Sequence, residues 1–124
     1  MRFTPQVRAL DWLVAKPIAH RGFHDESQGR VENCASSFEA AIANGYSIEC
    51  DIQLTADGQG VVFHDDEVDR VLDGKGKVKQ FTARELQAMS VKLGKDRVLT
   101  LAELIEQVAG RTTLVIEIKS PGLP

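Results

Sequence analysis

The 124-residue sequence has little cysteine, few aromatic residues and no strong net charge. Its two cysteines, Cys34 and Cys50, stand outside any CxxC pair, which argues against zinc binding and thioredoxin-type redox chemistry. The formal net charge is −3 without a basic cluster, so neither nucleic acid nor an anionic membrane is expected as a partner. Asp11 and Lys16 interrupt the only apolar segment near the start, and no run approaches the ~20 residues that span a bilayer. A cytoplasmic protein without stable membrane insertion is predicted.

Hydrophobic periodicity predicts alternating strands and helices. Strands are expected at 17–20, 47–54, 60–64 and 113–120. Helices are expected near the N-terminus, over 1–15, and after three capping boxes, Ser36 with Glu39, Thr82 with Glu85 and Thr100 with Glu103. This order predicts an α/β fold with a largely parallel sheet. The 54–60 link is too short for a normal crossover helix, so either that crossover is irregular or one strand assignment is wrong.

Ionisable side chains recur along the predicted strands. Because side chains alternate between the faces of a strand, Glu49 and Asp51 share one face of the strand 47–54, and Glu117 and Lys119 share one face of the last strand. Each of these strands has apolar residues on its other face: Ile48, Cys50 and Ile52 in one, Leu114, Ile116 and Ile118 in the other. One explanation is a one-sided sheet whose polar face meets water. A ligand site is favoured instead, because two further strands end in His20 and His64, and ligands of parallel α/β folds bind at the carboxyl ends of the strands.

The residue types at this edge restrict the chemistry. Three carboxylates without a thiolate, those of Glu49, Asp51 and Glu117, suit Mg²⁺ or Ca²⁺. The two histidines are compatible with zinc ligation and equally with general acid and base catalysis. Arg21 and Lys119 supply positive charge that matches a phosphate, which together suggests cleavage of a phosphate ester. His24 lies in a polar stretch and is expected to be solvated.

Five motifs occur in a recognisable order along almost the whole chain, from about residue 17 to residue 119. They are "HRG" at 20–22, "EN" at 32–33, "ECD" at 49–51, "TADGQGVVFHD" at 55–65 and "EIK" at 117–119. The set resembles the glycerophosphodiester phosphodiesterase family. The resemblance implies a (β/α)₈ TIM barrel that hydrolyses glycerophosphodiesters to glycerol 3-phosphate and an alcohol. Val31 and Cys34 depart from the Pro-Glu-Asn-Thr usual in the family, and Leu99 replaces a common proline.

The same resemblance implies a role for each motif residue. His20 and His64 would be the acid/base pair, while one divalent cation, Mg²⁺ or Ca²⁺, would bind to Glu49, Asp51 and Glu117. The substrate phosphate would be bound by Arg21, Lys119 and Asn33. Asn33 would also help to orient the site. In family terms a neighbouring hydroxyl of the small-molecule phosphodiester attacks phosphorus through a cyclic intermediate.

The length of the chain predicts half of such a barrel. A complete barrel needs ~250 residues, whereas this chain ends after what the resemblance makes the fourth barrel strand. Residues 1–16 are expected to form a helix packed on the barrel, and 17–124 its first half, with an insertion at about 66–99. The chain is therefore expected to be the front half of a longer protein, or to self-associate so that two halves close a barrel. A phosphatidylinositol- or sphingomyelin-cleaving phospholipase and a non-catalytic half-barrel are the alternatives.

Overall fold

The computed structural model describes residues 15–119. Its sheet centres on the longest strand, β2 (Ser47–Leu54). The helix predicted over 1–16 falls, but for its last two positions, outside the described residues. Two strands pair with β2 in parallel, and a third pairs with it in the antiparallel direction. The parallel strands are β1 (Ile18–His20) and β4 (Leu114–Ile118), and the antiparallel strand is β3 (Gly60–Val62).

The link between β2 and β3 is a hairpin turn. The backbone N–H of Thr55 donates to the carbonyl of Gln59 at 2.9 Å, and Gly58 takes the left-handed conformation that this Asp-Gly turn requires, with φ of 76°. No crossover therefore joins β2 to β3, which answers the question that the short 54–60 link raised. Strand β3 ends at Val62, two residues earlier than predicted. Because β3 is antiparallel, Leu114–Ile118 is the third parallel strand and not the fourth.

Within residues 15–119, three α-helices accompany the sheet: α1 (Ala35–Ala43), α2 (Ala83–Ala88) and α3 (Leu101–Val108). The capping boxes predicted at Thr82 and Thr100 are confirmed, since each hydroxyl accepts the N–H of the glutamate three residues later at 3.1 Å. The box predicted at Ser36 is wrong. Helix α1 begins two residues earlier, after Cys34, and the Ser36 hydroxyl donates to Asp96 instead.

In the described part of the chain, two apolar clusters form the core. The predicted apolar face of β2, with Ile48, Cys50 and Ile52, packs against helices α1 and α3. The second cluster lies largely in the insertion, where Val68, Leu72 and other side chains are fully buried. The stretch 66–80, polar in composition, is therefore anchored by its few apolar residues and includes a 3-10 turn at Val78–Gln80.

Strand β4 is only partly covered. Leu114 packs against the core beside β2, but farther along the same face Ile116 is exposed and Ile118 is 74% exposed. The apolar packing face predicted for this strand is thus left open at its carboxyl end by the described residues. Within residues 15–119 there is no helix with the length and apolar character needed to cross a membrane.

Candidate active site

Three carboxylates converge on the polar face of the sheet. Glu49 and Asp51 project from β2, and Glu117 of β4 is the register partner of Asp51. One carboxylate oxygen from each lies within 4.8 Å of the other two. Asp51 is 0% exposed, and within residues 15–119 its Oδ1 accepts no hydrogen bond. The alternation of side chains along two parallel strands therefore produces an oxygen-rich cluster with one unsatisfied buried acceptor.

Asn33 supports this cluster from the loop before α1. It is 2% exposed and has φ of 56°, a left-handed conformation that asparagine tolerates better than most residues. Its backbone N–H donates to the carbonyl of Arg21 at 2.9 Å. Its side-chain Nδ2 donates to Asp51 Oδ2 at 3.1 Å, so the amide is directed at the carboxylate cluster.

Two positively charged side chains, those of Arg21 and Lys119, flank the carboxylates. The Nε of Arg21 lies 3.7 Å from Asp51 Oδ2, and the Nζ of Lys119 lies 4.0 Å from Asp51 Oδ1 and 3.8 Å from Glu117 Oε2. These positive charges offset the repulsion among the three carboxylates. The Arg21 Nε is buried and donates no hydrogen bond to any described residue.

The turn after β1 places His20 and Arg21. Arg21 and Gly22 both have positive φ, and a Cβ on Gly22 would lie 3.0 Å from side-chain and backbone atoms of Ser37 and Phe38, so glycine is required there. The backbone N–H of Arg21 donates to Glu49 Oε1 at 3.1 Å. The His20 ring, 66% exposed on its side chain, brings its Nε2 to 3.8 Å from the same oxygen.

His64 approaches from the opposite direction. Because β3 is antiparallel, it runs back along β2, and the N–H of Phe63 donates to the carbonyl of Asp51 at 2.9 Å. His64 follows at once, and its Nδ1 lies 2.8 Å from Asp65 Oδ1. His64 and Lys119 both line a cleft of about 480 Å³. The prediction that His64 ends a parallel strand is therefore wrong, although the hairpin still delivers it beside the cluster; His24 lies exposed in its loop.

Three charged residues that received no role from the sequence connect these groups. Arg70, from the insertion, pairs with Glu32 at 2.8 Å and with Asp65 at 2.9 Å, and Glu32 also pairs with Arg21 at 3.1 Å. Burial opposes ionisation of Glu32, but Arg70 and Arg21 outweigh it and hold the pKa of this carboxyl below its usual range. Glu32 lies in the "EN" motif and Asp65 in the "TADGQGVVFHD" motif, so both could have been found from the sequence. Arg70 lies outside the motifs and has no signal in the sequence apart from its charge.

Comparison with known proteins gives a consistent result. Residues 20–122 match the family model described as the Glycerophosphoryl diester phosphodiesterase family. The chain is 42% identical over 111 residues to a glycerophosphodiester phosphodiesterase of Caldanaerobacter subterraneus, covering 83% of this chain and 44% of that protein. It is 37% identical over 91 residues to human glycerophosphodiester phosphodiesterase 1, covering 69% of this chain and 27% of that protein. The chain thus spans less than half the length of these relatives.

Solved structures show the same relationship. A phosphodiesterase of Oleispira antarctica in complex with the product sn-glycerol-3-phosphate superposes with a TM-score of 0.74 at 31% identity, covering 86% of this chain and 46% of that one. A glycerophosphodiester phosphodiesterase of Agrobacterium tumefaciens gives a TM-score of 0.75 at 28% identity, with 85% and 47% covered. These neighbours are TIM barrels, and the sheet and helices of this chain correspond to about half of one.

Proposed function

The chain belongs to the glycerophosphoryl diester phosphodiesterase family, and on this premise we propose that its site hydrolyses glycerophosphodiesters to glycerol 3-phosphate and an alcohol. One observation carries the proposal. Within the described part of the chain, Asp51 Oδ1 is a buried acceptor without a donor, and Arg21 Nε is a buried donor without an acceptor. Buried polar atoms are normally paired, so the first atom is suited to bind a cation and the second to bind an anion. A phosphate bound beside a metal ion supplies both.

The cation would be held by Glu49, Asp51 and Glu117. Their oxygens lie close enough together to share one ion, and a donor set without nitrogen or sulfur suits Mg²⁺ or Ca²⁺. A bound divalent cation acts as a Lewis acid and stabilises the negative charge that develops on the phosphate.

The substrate phosphate would be bound by Arg21 and Lys119. Both side chains lie within 4.0 Å of Asp51, so an anion that they bind lies against the carboxylate cluster. The free Nε–H of Arg21 is available to a phosphate oxygen, because Nη1 of the same guanidinium is already engaged by Glu32. Asn33 would also help to bind the phosphate, and its contact with Asp51 Oδ2 orients that carboxylate in the site.

His20 and His64 would move the protons. Nδ1 of His64 lies 2.8 Å from Asp65 Oδ1, and a proton on Nδ1 would leave Nε2 of that ring free to exchange a proton with the substrate. We propose that one histidine takes the proton of the substrate hydroxyl that attacks phosphorus, while the other donates a proton to the departing alcohol. Water then opens the cyclic phosphate with the two roles exchanged, which releases glycerol 3-phosphate.

We also propose the domain bounds, the cellular location and the self-association of the chain. The insertion at about 66–99 shares an apolar cluster with Val31, Cys34, Val61 and Phe63, which supports an insertion that packs on a barrel half extending over 17–124. A cytoplasmic location fits the unpaired thiols of Cys34 and Cys50. Self-association would cover the exposed end of β4, where Ile118 faces solvent.

The test is release of glycerol 3-phosphate from glycerophosphocholine by this chain, with Mg²⁺, with Ca²⁺ and with EDTA. Release that EDTA abolishes supports the proposal, and release that persists in EDTA contradicts the role of the metal. Preferential cleavage of phosphatidylinositol or sphingomyelin micelles favours a phospholipase. Metal binding without any turnover favours a non-catalytic half-barrel.

A further inference from the structure

Arg70 binds two carboxylates at once. Its Nη1 and Nη2 donate to Glu32 Oε1 and Oε2 at 2.8 and 2.9 Å, and its Nε and Nη2 donate to Asp65 Oδ2 and Oδ1 at 2.9 and 3.1 Å. Four of the five guanidinium N–H groups are thus committed in two forked contacts. A lysine ammonium has three donors and no planar fork, so it cannot reproduce this geometry.

Each of these carboxylates contacts a proposed active-site residue. Glu32 Oε2 also accepts from Arg21 Nη1 at 3.1 Å, and Asp65 Oδ1 lies 2.8 Å from His64 Nδ1. Arg70 is therefore the centre of a continuous chain of charged contacts that runs from the proposed phosphate-binding arginine to a proposed proton-transfer histidine. The two ends come from motifs more than 40 positions apart in the sequence, and the centre comes from the insertion.

We propose that Arg70 is a positioning residue that sets the tautomer of His64 and the orientation of Arg21. Through Asp65 it keeps the proton of the neutral His64 ring on Nδ1, so that Nε2 is the free nitrogen. Through Glu32 it anchors Nη1 of Arg21, so that Nε remains directed towards Asp51. This inference rests on the proposed function for its catalytic meaning, but the tautomer it specifies is a property of the chain itself.

The charge state of Asp65 is consistent with this role. Hydrogen bonds from Arg70 and, to a smaller degree, from His64 hold the pKa of the Asp65 carboxyl below its usual range. At neutral pH Asp65 is therefore a carboxylate, which only accepts hydrogen bonds, so Nδ1 of His64 is the donor. Without Arg70, Asp65 would lose two of its hydrogen bonds and regain rotamer freedom, and the imidazole would be free to adopt either tautomer.

The test compares the protein with Arg70→Ala and Arg70→Lys variants. Long-range ¹H–¹⁵N correlation spectra of labelled histidine report which ring nitrogen carries the proton, with His64 assigned by the loss of its signals in His64→Ala. We expect a predominant Nδ1–H form in the unmodified chain and a mixed population in both variants. Where turnover is measured, loss of a group that supports a reacting residue typically lowers activity about 10- to 100-fold, and kcat should fall accordingly in both.

Arg111 provides the matched control. It forms an equally short forked pair with Glu39, at 2.8 and 2.9 Å, and its side chain is 45% exposed, compared with 49% for Arg70. We expect Arg111→Ala to leave the His64 tautomer and kcat unchanged. An unchanged tautomer in Arg70→Ala overturns the proposal, whatever happens to turnover. A changed tautomer in a chain that releases no glycerol 3-phosphate upholds the positioning role and counts against the proposed function instead.

Discussion

The side-chain amide of Asn33 contacts Asp51 through both of its polar atoms. Nδ2 donates to the carboxylate at 3.1 Å, and Oδ1 accepts from the backbone N–H of Asp51 at 3.4 Å. Both residues are buried, and the contact joins the loop before α1 to the middle of β2. Asn33 is therefore suited to fix the most buried carboxylate of the site before any ligand arrives.

This contact predicts an ordered series of stabilities. Asn33→Gly retains the left-handed backbone but removes the amide, which should cost about 1–3 kcal/mol because a buried carboxylate loses a donor. Asn33→Ala also forces a Cβ residue into φ of 56°, so it should be less stable than the glycine variant by roughly a further 1 kcal/mol. Urea unfolding monitored by circular dichroism measures both. Equal stabilities of the two variants would show that the backbone strain is absent.

The three histidines provide an internally controlled test of catalysis. His20→Ala and His64→Ala should lower turnover of glycerophosphocholine by about 10²- to 10⁴-fold, the range expected for loss of a general acid or base. His24→Ala should leave turnover unchanged, because His24 is exposed and lies outside the site. Circular dichroism checks that each variant is folded. Normal turnover by a folded His20 or His64 variant would refute the assignment of that residue.

Metal binding should depend on the buried carboxylate. At a concentration of Mg²⁺ or Ca²⁺ about 100 times its dissociation constant, the chain should gain about 2.7 kcal/mol of stability, measurable as a rise in the unfolding temperature. Asp51→Asn should lose most of this gain. The matched control is Glu106→Gln, which changes an exposed carboxylate on α3 that lies outside the cluster. A full metal-dependent gain in Asp51→Asn would exclude this cluster as the binding site.

Acidification should weaken the contacts made by Arg70. The pKa of Asp65 is lowered by Arg70, and that of Glu32 is lowered by Arg70 and Arg21 in spite of burial. A depressed folded-state pKa contributes stability that is present above the ordinary values of 3.8 and 4.5 and is lost as the pH falls through the lower folded-state values. Urea unfolding from about pH 7 to about pH 3 should therefore show the stability gap between the chain and Arg70→Ala closing only at the acid end. A gap that is already closed near neutral pH would contradict the pairing.

Both cysteines should be chemically inert in the folded protein. Burial raises the pKa of the Cys34 thiol and of the Cys50 thiol to about 12, so neither forms an appreciable amount of thiolate near neutral pH. Iodoacetamide should label neither residue in the folded chain and both after denaturation, as counted by mass spectrometry. Fast labelling of the folded chain would show that one of these sites opens.

The convergence of the carboxylates was predictable because it depends on short-range geometry. The side-chain period of a strand assigns Glu49 and Asp51 to one face of β2 and Cys50 to the other, whatever surrounds the strand. Thr82 and Thr100 were equally predictable, since a capping box is closed within four residues. In these cases local residues determine the outcome without competition.

The features that the sequence analysis predicted wrongly or missed depend on contacts between residues far apart in the sequence. Ser36 has the same local pattern as Thr82 and Thr100, but Asp96, sixty positions away, binds its hydroxyl. Whether β3 runs parallel or antiparallel to β2 depends on how the two strands pair, and their apolar composition does not encode this. The short 54–60 link was evidence in the sequence against a parallel pair. The role of Arg70 requires contact with Glu32, 38 positions away, without any periodicity to signal it.

The two histidines differ in freedom before any substrate arrives. The His64 ring contacts Asp65 and its side chain is 29% exposed, whereas the His20 side chain is 66% exposed and its ring makes no hydrogen bond to any described residue. The torsional entropy of His64 is therefore lost when the chain folds, and that of His20 remains to be lost when a ligand binds. Folding thus orders one of the two histidines proposed to transfer protons, and the substrate would order the other.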